Sequence, residues 1–456
     1  MFFWLLWGDF CYSVMEAVIG PIMQLKFKHL EASNTEIGLI LGTIPLIVYA
    51  SLNPIISFKS DRFRSRWGRR IPFMLGSLPF IVLFLVALGF GERIGLWIKA
   101  HFAFLLHGVP DNQVAIMTLG ALLVAFAFVS TIGTSIFWYL FNDVVPEHLL
   151  ARFMSWFRVI STASASLYSF FIFPYSGTHS TEIFIGAACL YLFGFGIMCL
   201  KVKEGDYPPP PPYDGGQTGS IGAIKTFVKE THAFPHYWWV WLSSFISSIG
   251  LGVAMFGLYF SLALGLSMHQ IGVIAGCSGV AVSVMTLAAG WLADRYHPIR
   301  VVLAGNLLAS LVATPLGLIW LFWHPGPTLI FWVSLTVTIC LAAPAQAMKS
   351  MGDPPMLMRL FPRSRYGQFC STNATWGAVG GILGSGLAGV YLDIVTRFVG
   401  AERAYYYVPC FAIFFGIPNL FFLFKLYRSW KEHGGDENYA APIYHGTGEP
   451  ESLLRN

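Results

Sequence analysis

The sequence predicts an all-α integral membrane protein, with about twelve transmembrane helices arranged as two six-helix bundles. Three observations predict it. Hydrophobic residues make up 55% of the chain and charged residues 11%, against roughly 25% charged in soluble domains. The apolar residues fall in runs near the ~20 that a helix needs to cross a bilayer. Lys and Arg gather on one set of loops, the pattern that fixes orientation.

The apolar runs are 2–25, 35–57, 72–90, 115–140, 154–175 and 182–200, then 238–265, 270–293, 299–322, 328–349, 367–392 and 406–427. The first has no basic leader and holds two acids, so it is expected to be a span and not a cleaved signal. Between the third and fourth, Trp97, Phe102 and Phe104 suggest a short helix on the membrane surface. Segment 201–236 contains Pro208 to Pro212 and Gly215-Gly216, so it reads as an extended linker between bundles 1–200 and 237–430. The polar tail 431–456 is expected to be disordered.

Most of the 28 Lys and Arg lie on one side. Lys59, Arg62, Arg64, Arg66, Arg69 and Arg70 follow the second span, and Lys201, Lys349, Arg359 and Lys431 fall in loops of the same side. The other side holds Lys26, Lys28, Arg93, Lys99, Arg397 and Arg403. The bias places both termini and the linker in the cytoplasm of a cell that carries the protein in its plasma or inner membrane.

The halves repeat weakly. Asp61-Arg62 follows the second span, and Asp294-Arg295 follows the eighth. Pro146 is followed at +6, +7 and +9 by Arg152, Phe153 and Ser155, and Pro362 at the same offsets by Gln368, Phe369 and Ser371. Two matches in corresponding places argue for halves that rock about a central site.

Asp61 ends the second span on the side where odd-numbered spans begin, so positive helix N-termini face it. It is expected near the start of the eleventh span, and Asp294 near that of the fifth, as contacts of a cytoplasmic gate. Arg62, Gly68, Arg69, Arg70 and Arg295 belong to the same gate. Each contact would contribute about 0.3–2 kcal/mol, which suits a nearly balanced switch. A plainer reading is that the basic cluster only sets topology.

An ionisable group inside a span costs at least ~2.5 kcal/mol by insertion scales. Asp9 and Glu16 stand seven apart on one face of the first span, with Tyr12 and Ser13 beside them. Arg158, inside the fifth span, is a permanent cation fit to pair with either acid. A structural salt bridge is the alternative. Asn373 and Gln346 are polar residues in late spans, equally suited to inter-helix hydrogen bonds. Glu16, Asp9 and Asp143 are the carboxylates available to carry a coupling proton; the alternative for Asp143, at the cytoplasmic end of the fourth span, is the gate network with Arg62, Arg69 or Arg70. Glycines 380, 381, 384 and 389, with Gly272 and Gly276, read as small-residue ridges for helix packing.

Two six-helix halves with an acidic–basic loop after the second helix resemble the major facilitator superfamily. The stretch Ser60-Asp61-Arg62-Phe63-Arg64-Ser65-Arg66-Trp67-Gly68-Arg69-Arg70-Ile71-Pro72-Phe73, with Asn142-Asp143 and Phe153-Met154-Ser155, resembles the glycoside-pentoside-hexuronide:cation symporters, and the plant-type sucrose transporters among them. The resemblance implies the major facilitator fold. It also implies a sugar or glycoside substrate held by an acid of helix one and an Arg of helix five, here Asp9 and Arg158. Trp7, Tyr12 and Trp376 would stack on the sugar, and Asn373 and Gln346 would add hydrogen bonds. The sodium-using members carry acids in helix two; here that span has Asn53 and no mid-span carboxylate. A proton is therefore expected before sodium.

No metal site, cofactor or nucleic-acid partner is expected. The seven cysteines form no CxxC pair and read as buried thiols, and no HExxH, nucleotide loop or GxSxG occurs. The expectation is a monomeric sugar–proton symporter and no enzyme. An exporter or facilitator of another small or amphipathic solute, and a transporter-like membrane sensor, are the rivals.

Overall fold

The computed structural model describes residues 1–102, 104, 106–205 and 228–442. The proline run at 208–212 and the tail from 443 lie outside the described residues. So do the side chains of Asp61, Arg62, Asn142, Arg152 and Ser155.

The described residues form helices and no strand. Twelve long helical segments follow one another. They are Phe2–His29, Asn34–Ser57, Ile71–Gly89, Asp111–Phe141, Glu147–Leu167 with its extension to Tyr175, and Ser180–Lys201. The remainder are Pro235–Ala263, Met268–Arg295, Pro298–Phe322, Pro327–Leu360, Tyr366–Val399 and Ala401–Glu432. Eleven are long and apolar enough to cross a membrane. The exception is the fifth, whose first turns carry Glu147, Arg152 and Arg158. Phe80, Phe171, Leu287, Phe322 and Phe398 point outward, each more than half exposed. Such a surface is stable only against lipid. The short helix expected before the fourth span is Gly91–His101, with Trp97 exposed.

The described chain divides into two units, 1–205 with 265–280, and 228–264 with 281–442. In the first, Phe137, Phe141 and Phe157 pack edge-on, 4.7 Å apart for the first pair and 4.9 Å for the second. In the second, Tyr237, Trp241, Phe361, Phe369 and Trp430 form a buried core. The repeated phenylalanines do the same job in each. Phe153 packs on Phe141 at 5.3 Å, and Phe369 on Phe361 at 5.5 Å.

The glycine ridges mark close helix approach. A side chain on Gly384 would meet the backbone of Ile249 at 2.6 Å, and one on Gly252 would strike Gly384 itself. Gly272 and Gly276 face Ser169 and Phe170 of the fifth span in the same way.

Three sequence expectations change. The tenth span does not stop near 349. It continues through Pro354 and Pro355 to Leu360, because prolines are tolerated where neighbouring helices and side chains re-satisfy the freed backbone groups. Part of the tail is ordered: the Tyr439 hydroxyl donates to the Leu360 carbonyl at 2.8 Å, and the Tyr237 hydroxyl to the Pro442 carbonyl at 2.9 Å. The cysteines are all free, but Cys189 and Cys340 are exposed on outward faces.

Candidate functional site

The first span aims Asp9, Tyr12 and Glu16 along one face, at i, i+3 and i+7. They open into a cavity of about 910 Å³ within the first unit. The second, fourth and fifth spans complete it with Tyr49, Thr134, Trp138, Phe157 and Ser161. A π turn at Leu39–Thr43 turns Leu41 and Gly42 to the same space. Such turns recur at functional sites.

The polar groups are ordered. The Tyr12 hydroxyl donates to Glu16 Oε1 at 2.5 Å and lies 3.1 Å from Thr134 Oγ1. The Ser13 hydroxyl lies within reach of both Asp9 Oδ1, at 3.3 Å, and Ser161 Oγ, at 3.0 Å. Asp9 is fully buried, and its Oδ2 has no hydrogen-bond partner among the described residues. The lining holds two carboxylates and no Lys or Arg.

Arg158, expected to pair with Asp9 or Glu16, is not brought to this cavity. It is exposed, lies outside the cavity lining, and forms no ion pair with Asp9 or Glu16. The reason is phase. Phe157, Ser161 and Ala165 recur every four residues on the cavity face, so Arg158 stands about 100° further round the helix.

The late-span residues lie in the second unit. Asn373 lines a smaller cavity there and accepts from Ser244 at 2.5 Å. The Trp376 indole donates to His232 Nε2 at 3.2 Å and its ring packs against Phe245 at 5.6 Å, so it is a packing residue. Gln346 is exposed and lies outside that cavity's lining. That smaller cavity also contains Lys349 and Asp353, which sequence reasoning missed. The sequence reading ends the tenth span at 349 and counts Lys349 among the loop cations, whereas the helix runs on to Leu360. The i, i+4 spacing of the two charges was the available signal.

The loop after the second span is built around two carboxylates. Asp143 accepts from Arg69 Nε and from Arg70 Nε, each at 2.9 Å, and also from Arg69 Nη2. Burial pushes the Asp143 carboxyl up. The hydrogen bonds from Arg69 and Arg70, and their charges, outweigh this and hold it below the usual carboxylate range. Asp143 thus belongs to this clamp and is not a free proton carrier. Arg70 also donates to Ser60 Oγ at 2.5 Å. The second carboxylate, Glu204, was not foreseen. It accepts the backbone N–H groups of Arg69, Arg70 and Ile71 at 2.9, 2.8 and 2.7 Å, closing the N-terminus of the third span. Gly68 turns at φ +102°, and a side chain there would strike Glu204.

Of the remaining gate residues, Asp294 is exposed, and Arg295 lies over the rings of Trp291 and Tyr296 at 5.2 and 5.6 Å.

Helices crossing a bilayer around a carboxylate-lined cavity define a polytopic solute transporter. Residues 12–396 match the family described as MFS/sugar transport protein, and the chain belongs to that family. It is a transporter of the major facilitator superfamily and not an enzyme. It is 28% identical over 251 residues to Solute carrier family 45 member 4 of Homo sapiens, a match covering 49% of this chain and 30% of that protein. It is 32% identical over 99 residues to an uncharacterised symporter of Synechocystis sp., covering 21% of this chain and 16% of that one. The matches thus span less than a third of the length of these relatives. The fold is similar to that of a D-xylose–proton symporter, with a TM-score of 0.62 at 15% identity, over 92% of this chain and 96% of that structure.

Proposed function

We propose that the protein is a sugar or glycoside–proton symporter working by alternating access, akin to the glycoside-pentoside-hexuronide:cation symporters. The observation that carries this reading is the first-unit cavity, where Asp9 and Glu16 meet no basic side chain. Glu16, exposed to the cavity, exchanges a proton with its water and accepts a solute hydroxyl in turn, with Asp9 buried beside it. Tyr12 and Thr134 hold Glu16 in position. Sodium is disfavoured, because Asn53, in place of an acid in the second span, already accepts from the Tyr139 hydroxyl at 2.9 Å. The D-xylose–proton symporter of similar fold supports the same class. The protein acts as a monomer with both termini in the cytoplasm, and Gly68 to Arg70 belong to its cytoplasmic gate.

Uptake of labelled sugars into proteoliposomes tests the reading. An inward proton gradient should drive accumulation, and a sodium gradient should not. Accumulation indifferent to pH gradients of both polarities would remove the coupling. The place of Arg158 outside this cavity lining favours one second reading, a facilitator or exporter of a solute that needs no guanidinium. In that case no gradient drives sugar accumulation.

A further inference from the structure

The second unit holds a polar cavity of about 270 Å³ that the proposed mechanism leaves unused. Five spans line it, and their polar groups fall into two sets. The first is a closed relay. Ser243 Oγ donates to Asn419 Oδ1 at 2.7 Å, Asn419 Nδ2 to Asn306 Oδ1 at 3.1 Å, and Asn306 Nδ2 to the Val302 carbonyl at 2.9 Å. All three side chains are buried. This wall is satisfied and has one arrangement.

The second set is open. Lys349 and Asp353 lie one turn apart on the tenth span and line the same cavity. They attract each other through space. Neither forms an ion pair within 4.0 Å or a hydrogen bond with any described residue. Asn373 has its Oδ1 occupied by Ser244, which leaves its Nδ2 as a donor. Ser247 and Ser248 add two more hydroxyls to the lining. Charges that line a cavity without contact partners leave space for a third group between them.

The lining selects the chemistry of that group. One positive and one negative charge sum to zero, so an ion of either sign meets repulsion from one of them. A hydroxyl donates to a carboxylate and accepts from an ammonium, and is the simplest bridge. The volume lies near the ~300 Å³ lower end of ligand pockets, which limits the occupant to a single small ring. We propose that this cavity binds a small neutral polyol of monosaccharide size. Adjacent hydroxyls bridge Lys349 and Asp353, and the Asn373 amide donates to a further oxygen. The proposal rests on the sugar-class reading above and adds a second binding subsite to it, in the other unit.

The test is thermal stabilisation and equilibrium binding on the purified full chain. The probes are D-xylose, D-glucose and myo-inositol, with glycine betaine as zwitterion and citrate and 1,4-diaminobutane as ions. At least one polyol should bind, and the two ions should not. Lys349→Met and Asp353→Asn should each weaken polyol binding tenfold or more, while Asp353→Glu stays within about threefold. Asn373→Ala keeps both charges, guards against misfolding of the charge variants, and should lose threefold to tenfold. Unchanged polyol affinity in folded Lys349→Met and Asp353→Asn overturns the subsite and leaves proton-driven uptake, read separately with Glu16→Gln, untouched. Binding of glycine betaine alone overturns the polyol. No polyol binding to the wild type overturns the subsite, while the sugar reading stands or falls on the uptake assay above.

Discussion

Gly68 shows how much one residue carries. Its φ of +102° is costly for any other residue, and the space a side chain would fill belongs to Glu204. Gly68→Ala should therefore lower stability by about 1–2 kcal/mol from backbone strain alone, and displace Glu204 from three N–H groups besides. Thermal unfolding in detergent reads it, and an unchanged midpoint would show that the Glu204 contact holds nothing. Glu16 is the matching test inside the first cavity. Glu16→Gln keeps the acceptor for the Tyr12 hydroxyl but cannot cycle a proton, so gradient-driven accumulation should vanish while sugar exchange across the membrane persists. At this scale the sequence was only partly legible. The stripe Asp9, Tyr12, Glu16 was visible because it lies on one helix and obeys one period. The phase of Arg158, outside the cavity lining, was not, since one position along a helix is a turn of about 100°, and nothing local fixes the phase of a span that is polar on more than one side.

The helices were the most legible level, because a long apolar run has few alternatives in a bilayer. Their ends were less so. The tenth span reads as ending at 349 but runs through Pro354 and Pro355 to Leu360, and that misplaced boundary hid Lys349 and Asp353. The glycine ridges were legible as packing surfaces because only small residues allow the approach now seen between the seventh and eleventh spans. Gly384→Leu should overpack that contact and cost about 1–3 kcal/mol, read as a lowered unfolding midpoint. The clamp on Asp143 ties the start of the third span to the end of the fourth. Its carboxyl is held low, so the clamp contributes in full above ~3.9, the ordinary Asp value, and fades only as pH falls through the lowered one. Asp143→Asn leaves two arginines without their anion and should cost about 3 kcal/mol. The difference from wild type should stay constant from pH 8 to 5 and shrink below 4. A difference that shrinks near pH 6 would contradict the direction of the shift.

The two units share a device that neither sequence match revealed. In each, an acid following the sixth helix reaches the N-terminus of the third. Glu204 takes the N–H groups at Arg69 to Ile71, and Asp436 pairs with Arg300 at 2.5 Å. The acids are not equal. Asp436 and Arg300 are both well exposed, and a surface pair contributes about 0–1 kcal/mol. Asp436→Asn should thus move the unfolding midpoint much less than Glu204→Gln, and equal losses would mean that the outer pair is better shielded than its exposure implies. Such long-range caps leave no local pattern, which is why Glu204 read as one more polar residue at the edge of a linker. The Glu204 contact reaches 135 residues along the chain. At a synthesis rate of ~5–20 residues per second, the loop at Gly68 leaves the ribosome roughly 7–27 s before the carboxylate that closes it. The loop closes only when the sixth helix and Glu204 behind it have been made, so the order of synthesis itself decides when that loop takes its shape.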